Sequence, residues 1–279
     1  MLSADGIKVV RDGTTLLVGA DIRVEPGETV ALIGPNGAGK STLLHVLSGA
    51  VVADAGDVRL DQAALSYWSP AALARRRAVL PQAPVLGFPL SAGEVVALGC
   101  SPWAGTRDAA HDRHIVAEAL AECDVTHLAE RPYTRLSGGE RQRVQLARVL
   151  AQVWPSPTER DNGARYLLLD EPTNNLDLAH QLRIAATARR FARRGHGVLA
   201  VLHDPNLAAQ YADRIVVLVA GRVLTEGAPE TIVTEETMSA AFGVRTVCRE
   251  HPVTGRPYML PLPEDTDPSA DAGAASRVA

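Results

Sequence analysis

The chain has 279 residues, of which 46% are hydrophobic and 22% charged, and its formal net charge is -4 at pH 7; this is the composition of a soluble globular protein with one large or two modest domains. Apolar runs such as Ile215 to Ala220 are far shorter than the roughly 18 residues of a membrane helix, and the N-terminus lacks the apolar core of a signal peptide. We therefore expect a cytoplasmic protein. The net charge gives no general attraction to nucleic acid. The three cysteines are scattered and odd in number, which argues against a disulfide framework and a four-ligand zinc site.

The first predicted elements are short strands. Ile7 to Val10, Thr14 to Leu17 and Asp21 to Val24 are partly alternating apolar segments. The pairs Asp12-Gly13 and Pro26-Gly27 separate these segments from each other and from the next one, and such pairs are typical of hairpin turns. The N-terminus therefore predicts an antiparallel sheet.

Continuous apolar runs follow, and they indicate strands buried on both faces of a parallel sheet. These runs are Thr29 to Ile33, Tyr166 to Leu169 and Val198 to Leu202. Arg214 to Val219 and Arg222 to Thr225 flank Ala220-Gly221 and predict a hairpin that closes this sheet. Helical stretches between the strands make the predicted fold class α/β.

A helical insert is predicted between Pro84 and about Arg160, where helical periodicity replaces the strand pattern. In Arg141 to Trp154, for example, one helical face carries Val144, Ala147, Ala151 and Trp154. After Leu262 the chain is acidic and alanine-rich, and it has too few large apolar residues to offset the entropy of ordering. We therefore divide the chain into a split core at 1–84 and 161–262, a helical subdomain at 85–160, and a disordered tail at 263–279.

Directly after the first buried strand stands the pattern G-x-x-x-x-G-K-S, which predicts a phosphate-binding loop that leads into the helical run Thr42 to Leu47. Glycines let backbone N–H groups point inward, and the helix N-terminus adds positive potential. Lys40 neutralises phosphate charge, and the Ser41 hydroxyl is a ligand for Mg²⁺. A plain glycine-rich turn would need neither the lysine nor the hydroxyl. The expected nucleotide contacts are Gly34, Pro35, Asn36, Gly37, Ala38, Gly39, Lys40, Ser41 and Thr42.

Two adjacent carboxylates end the second buried strand. Asp170 and Glu171 follow Tyr166 to Leu169, where parallel strands emerge at the ligand-binding edge of a sheet. Near a phosphate loop, this pair suits metal-assisted hydrolysis. We expect Asp170 to bind Mg²⁺, through water, and Glu171 to polarise or deprotonate the attacking water.

Two further features go beyond a generic phosphate-loop protein. Leu136 to Glu140, "LSGGE", opens a predicted helix, and His203 follows the strand Val198 to Leu202. Glycines and a serine at a helix N-terminus form an anion site, although by itself this motif is more typical of a helix cap.

In chain order, "GPNGAGKST", Gln82, "LSGGERQRVQLAR", "YLLLDEPT", "NNLD" and His203 resemble the motif set of ATP-binding cassette (ABC) ATPase subunits. The resemblance covers most of residues 2 to 227. It implies a P-loop NTPase core with a mixed, mainly parallel sheet, an N-terminal antiparallel β subdomain and an inserted α-helical subdomain.

The resemblance also implies a head-to-tail homodimer, in which the turn at Ser137 of one subunit contacts the γ-phosphate of ATP on the phosphate loop of the other. It implies that Gln82 senses Mg²⁺ and the γ-phosphate, and that His203 contacts the γ-phosphate and the attacking water. The added nucleotide contacts are Ser137, Gly138, Gly139 and Asp177. The implied catalytic residues are Lys40, Gln82, Glu171 and His203, and the implied Mg²⁺ ligands are Ser41, Gln82 and Asp170.

One position departs from the family pattern. The family usually stacks adenine on an aromatic residue near position 11, where this chain has Arg11. A guanidinium plane is itself a stacking surface. Discrimination between ATP and GTP stays open at this point.

Several segments resemble the ATPase subunits of bacterial importers for iron complexes and vitamin B12, and "LDLAHQ" and "HPVTGRPYMLP" resemble those of haem importers. The implied function is ATP-driven haem uptake at the cytoplasmic face of the inner membrane, as a peripheral protein. The implied partners are a second copy, two copies of a permease subunit and, indirectly, a periplasmic haem-binding protein. We expect no direct contact with haem and none with nucleic acid.

Alternatives stay open at this point. The cargo is alternatively a ferric siderophore or vitamin B12. A non-transport ABC ATPase acting on DNA or ribosomes is disfavoured, because such proteins carry long heptad arms, zinc-bearing insertions or a second cassette. A plain phosphate-loop kinase would lack "LSGGE" and would need a substrate-binding lid.

Two clusters have competing interpretations. His111 and His114 have ligand-like spacing, but a solvated helix start is favoured over a haem or metal site. The run Arg75 to Arg77 is either a contact with the permease or the partner subunit, or a solvated basic turn.

Overall fold

The computed structural model describes residues 1–82, 89–155 and 163–263. The strands of these ranges are β1 (Leu2–Arg11), β2 (Thr14–Val24), β3 (Thr29–Ile33), β4 (Ala55–Leu60), β5 (Ala63–Ala64), β6 (Arg77–Leu80), β7 (Tyr166–Asp170), β8 (Gly197–Val201), β9 (Arg214–Val219), β10 (Arg222–Gly227), β11 (Thr246–Glu250) and β12 (Pro257–Pro261). The helices are α1 (Lys40–Leu47), α2 (Pro70–Arg76), α3 (Ala92–Ala97), α4 (Ala109–Glu122), α5 (Gly138–Gln152), α6 (Leu178–Arg193), α7 (Pro205–Tyr211), α8 (Pro229–Ile232) and α9 (Glu235–Phe242).

A six-stranded sheet has the order β10-β9-β3-β8-β7-β6. Neighbouring strands from β9 to β6 are parallel, and β10 pairs antiparallel with β9. Every residue of β3, β7 and β8 is buried, which explains their continuous apolar sequence. The predicted parallel strands and the closing hairpin are confirmed. This order brings the C-terminal ends of β3, β8, β7 and β6 to one edge.

The N-terminal sheet has the order β2-β1-β4-β5, with antiparallel pairing throughout. Two separate strands predicted between Thr14 and Val24 are one strand, β2. Register shifts between β1 and β2, and the positive φ of 69° at Gly19, let the strand continue through the irregular stretch. One apolar core joins side chains of both sheets and α1.

The other face of the six-stranded sheet packs against helices, including α3, α4 and α5 of the insert. On α5, Val144, Ala147 and Ala151 are fully buried, and Trp154 packs against the same core. The predicted apolar face is therefore confirmed. Arg113 to Leu120 lies within α4.

The solvated-turn interpretation of the run Arg75 to Arg77 is wrong. Arg76 is only 5% exposed and forms an ion pair with Asp61. The Arg75 guanidinium lies 5.0 Å from the centre of the Trp103 ring, and its Nε donates a hydrogen bond to the Pro102 carbonyl at 2.8 Å. Tertiary contacts hold the Arg75 and Arg76 side chains in place. The polar character of a residue in the sequence does not reveal such contacts.

His111 and His114 both lie in α4, near its start. Asp108 caps the helix by accepting a hydrogen bond from the His111 backbone N–H at 2.7 Å. His114 is exposed and His111 is half-buried. The positions agree with the interpretation of these residues as part of a helix start.

The C-terminal part of the core carries α8, α9 and the hairpin of β11 and β12, which the sequence patterns did not predict. Asn206 on α7 binds the backbone of Met259 on β12 in both directions, donating at 3.0 Å and accepting at 2.7 Å. The Arg256 guanidinium donates to the carbonyls of Ala209 and Ala212. These bonds fasten the hairpin to α7.

The boundaries predicted at 84/85 and 160/161, and residues 264–279 of the predicted tail, lie outside the described residues. In the ranges that are described, no helix combines the length and the apolar content that crossing a bilayer requires.

Candidate functional site

The predicted phosphate loop connects β3 to α1, and its glycines are required by geometry. A Cβ atom at Gly34, where φ is 147°, would lie 2.0 Å from the Leu218 carbonyl oxygen. At Gly39, where φ is 99°, it would lie 2.8 Å from the Leu16 carbonyl oxygen. Side chains fit neither the space nor the backbone conformation. The loop surrounds an open cleft of about 230 Å³ lined by Leu16, Asn36, Gly37, Ala38, Gly39, Lys40, Ser41, Thr42 and Glu171.

Lys40 begins α1 and folds back over the loop. Its Nζ donates hydrogen bonds to the carbonyls of Gly34 and Pro35, each at 2.9 Å. Burial lowers the pKa of Lys40 below its ordinary value, while the charges of Glu171 and Asp170 act in the opposite direction. The ammonium group therefore lies within the loop, at the N-terminus of a helix, where anions are favoured.

Ser41 and Asp170 bring two oxygen donors together next to the cleft. The Ser41 hydroxyl donates to Asp170 Oδ1 at 2.9 Å, and His45 Nε2 lies 3.7 Å from Asp170 Oδ2. Burial raises the pKa of Asp170, against the opposing effects of the Ser41 hydrogen bond and of His45. A buried carboxylate beside a hydroxyl fits the oxygen ligands that Mg²⁺ prefers. His45, one turn after Ser41 on α1, was not predicted.

Gln82, Glu171 and His203 follow three different strands. The side chains of Gln82 and His203 converge on the Glu171 carboxylate. Gln82 Nε2 and Asn174 Nδ2 donate to Glu171 Oε2, and His203 Nε2 lies 2.7 Å from Glu171 Oε1. Glu171 adopts a positive φ of 49°, a conformation that is rare outside glycine and that clusters at functional sites. Asn174, three residues after Glu171, was not predicted.

The "LSGGE" turn opens α5 as a complete capping box. The Ser137 hydroxyl accepts from the Glu140 N–H at 3.3 Å, and Glu140 Oε2 accepts from the Ser137 N–H at 2.7 Å. A Cβ at Gly138 would meet nothing within 4 Å. The described residues that line the cleft around Lys40 include no residue of this turn.

Asp177 caps α6 and is largely exposed. Its Oδ1 accepts from the His180 backbone N–H at 2.9 Å, and this hydrogen bond is the main reason why its pKa is lowered. Asp177 is likewise absent from the cleft lining given above.

Arg11 stands at the end of β1, and its guanidinium already has partners. It donates to Asp54 Oδ2 at 3.1 Å and to the Val52 carbonyl at 2.8 Å. Leu16, on β2, lines the cleft instead.

Comparison with known proteins agrees with this geometry. A family model described as ABC transporter matches residues 17–174. The hemin import ATP-binding protein HmuV of Gloeobacter violaceus is 48% identical over 262 residues, which is 94% of each chain. The protein of the same name from Nocardia farcinica is 48% identical over 266 residues, covering 94% of this chain and 89% of that one.

Solved structures give the same result. A chain of an inward-facing, metal-chelate type ABC transporter matches with a TM-score of 0.78 and 26% identity, covering 94% of this chain and 98% of that one. A dimeric ATP-binding cassette in a post-hydrolysis state, bound to ADP and Pi, matches with a TM-score of 0.69 and 26% identity, covering 82% and 98%. The chain therefore belongs to the ABC transporter family and is an ATP-binding, ATP-hydrolysing subunit of that family.

Proposed function

We propose that this chain powers haem import by hydrolysing Mg²⁺-bound ATP in sites shared between two copies. The observation that carries the catalytic part is the convergence of Gln82, Asn174 and His203 on the Glu171 carboxylate beside the phosphate loop. Similarity to the hemin import ATP-binding proteins along almost the whole chain supports the cargo.

The phosphate loop binds and orients the nucleotide. Backbone N–H groups of the loop from Gly34 to Thr42, except at Pro35, which has none, face the phosphates, and Lys40 exchanges its two carbonyl partners for β- and γ-phosphate oxygens. Ser41 and Asp170, with Gln82, would hold the metal ion. When bound, Mg²⁺ neutralises charge on the phosphate oxygens.

Glu171 acts as the general base towards the attacking water. Its bonds to Gln82, Asn174 and His203 aim the carboxylate, and aiming a base in advance removes an entropic cost from the chemical step. In the nucleotide complex, His203 contacts the γ-phosphate.

The second wall of the site comes from the partner copy. In one chain, the described lining of the cleft includes none of Ser137, Gly138, Gly139 and Asp177. In a head-to-tail dimer, the Ser137 turn and the α5 N-terminus contact the γ-phosphate across the interface. Because this contact exists only in the closed dimer, ATP binding favours closure.

The closed and open states drive the permease. The helical insert, predicted at 85–160, carries the motion to two copies of a permease subunit, and the chain acts as a peripheral protein at the cytoplasmic face of the inner membrane. A periplasmic haem-binding protein delivers the cargo. Haem passes through the permease and does not contact this chain.

Reconstitution tests the proposal. The chain is copurified with its untagged membrane partner, placed in liposomes with the cognate binding protein, and assayed for ATP turnover. We expect haem to stimulate turnover, and a Lys40→Ala complex to show no stimulation. Stimulation by a ferric siderophore or cobalamin in place of haem would contradict the cargo and retain the transport function.

A further inference from the structure

The space beside Gly139 is filled by a histidine from another helix. A Cβ atom at Gly139 would lie 2.4 Å from Cδ2 and 2.7 Å from Nε2 of His180. Real Cβ atoms do not make such contacts, so the ring takes the volume that a side chain at position 139 would need. By contrast, Gly138 faces open space.

The same ring is held on its other side by Asp177. His180 Nδ1 lies 2.7 Å from Asp177 Oδ1. The lowered pKa of Asp177 keeps this carboxylate ionised, so that it only accepts hydrogen bonds. Nδ1 is therefore the protonated nitrogen in this contact, and the opposite edge of the ring, with Nε2, faces Gly139.

Further bonds attach α6 to the insert. Arg183, one turn after His180, forms an ion pair with Asp124 at 2.5 Å. Arg190 and Arg194 form ion pairs with Glu122 at the end of α4. These ion pairs hold α6 against the insert, and the contact with Asp177 orients the His180 ring.

We infer that His180 is a positioning residue that fixes the Ser137 to Gly139 turn relative to Asp177 within one chain. It does so by filling the space beside Gly139 while donating to Asp177. The inference rests on the proposed function, because these two features are the ones assigned there to the dimer interface. The His180 ring then disfavours any side chain at position 139, independently of any approach to phosphate.

Thermal unfolding without nucleotide tests the contact. Gly139→Ala alone should lower Tm by about 3 °C, because the added methyl group overpacks a ring that is held in place. In a His180→Ala background the same substitution should lower Tm by less than about 1 °C. Arg183→Ala loosens the same helix but leaves the His180 ring in place. In this background, Gly139→Ala should again lower Tm by the full amount. An equal loss in all three backgrounds would overturn the inference.

Turnover tests the positioning role. His180→Ala should lower kcat on the order of tenfold and leave the ATP affinity of the isolated chain unchanged, because a displaced turn impairs the composite site and not the phosphate loop. His180→Asn keeps a donor for Asp177 and lacks the ring edge facing Gly139, so its kcat should fall similarly. Full turnover by His180→Asn would overturn the inferred link between the His180 ring and ATP turnover. If the unsubstituted chain showed no ATP turnover, the proposed function would fail, and the thermal measurements would still decide the contact.

Discussion

Glu171 combines an uncommon backbone conformation with a fully engaged carboxylate. Its φ is positive, at 49°, and Gln82, Asn174 and His203 contact its two oxygens. A strained residue persists only where its surroundings determine its conformation. At this position, the contacts that determine the conformation also direct the carboxylate.

Glu171→Gln should separate binding from chemistry. The amide keeps the size of the side chain but cannot accept a proton, so we expect ATP binding to persist and phosphate release to fall at least about 100-fold. Equilibrium nucleotide binding and single-turnover phosphate release check this. Glu130→Gln, the same change at an exposed position, should leave both unchanged. Rapid phosphate release by Glu171→Gln would remove the residue from the role of base.

Gly34→Ala should destabilise the fold far more than Gly37→Ala. At Gly34 the new methyl group meets a backbone carbonyl at 2.0 Å, which no rotamer change relieves, and we expect a loss of at least about 3 kcal/mol. At Gly37, where φ is 78°, a methyl group meets nothing within 4 Å, so only the cost of the left-handed conformation, about 1 kcal/mol, applies. Urea unfolding measures both, and equal losses would contradict the geometry.

The sequence predicted the phosphate loop and the carboxylates because their chemistry depends on short spacing within the chain. Gln82 and His203 entered only through the family resemblance, since neither residue type is distinctive alone. Asn174 and His45 were missed because their contacts with Glu171 and Asp170 arise from a backbone turn and a helical turn that no local pattern reveals.

At the scale of elements, α6 is joined to the end of α4 by ion pairs. Glu122 is 13% exposed and contacts Arg190 and Arg194. Burial acts to raise the pKa of Glu122, but the hydrogen bonds and charges of these arginines outweigh it, so the pKa lies below its ordinary value of 4.5. The folded state therefore favours the ionised carboxylate.

Glu122→Gln should lower the free energy of unfolding by about 1 kcal/mol at pH 7. A depressed carboxylate pKa adds stability above the unfolded-state value, and that stability is lost as the pH falls through the folded-state pKa. The difference between variant and parent should therefore be largest at neutral pH, decrease as the pH falls below the ordinary value of 4.5, and vanish below the lower folded-state pKa. Glu118→Gln, one turn earlier on α4 and exposed, is the matched control. A difference in unfolding free energy that does not change with pH would contradict a lowered pKa for Glu122.

Elements were predictable where burial is uniform and not where it is mixed. Strands β3, β7 and β8 are buried throughout, so their apolar runs indicated them directly. Strand β4 exposes most of its residues, and β5 has only two. The hairpin of β11 and β12 is partly exposed and depends on α7 for packing. Such strands are defined by their partners and not by their own composition.

At the scale of the whole molecule, the sheet order brings the loop, the proposed metal ligands and the proposed base together, whereas the Ser137 turn opens a helix of the insert. The described lining of the cleft comes from the core alone. The proposed composite site then needs a second chain, and one solved structure to which this chain is similar is a dimeric cassette bound to ADP and Pi. Local sequence patterns indicated the phosphate loop and the Ser137 turn separately, but the proposal that two chains share one site followed only from the family resemblance.

The measurement that tests this account most directly is the mass in solution of Glu171→Gln, by light scattering, with and without Mg²⁺-bound ATP. We predict one chain without nucleotide and twice that mass with ATP, and no such change when Ser137→Arg is added. A nucleotide-bound chain that stays single, while the unsubstituted chain turns over ATP as a monomer, would contradict the shared site.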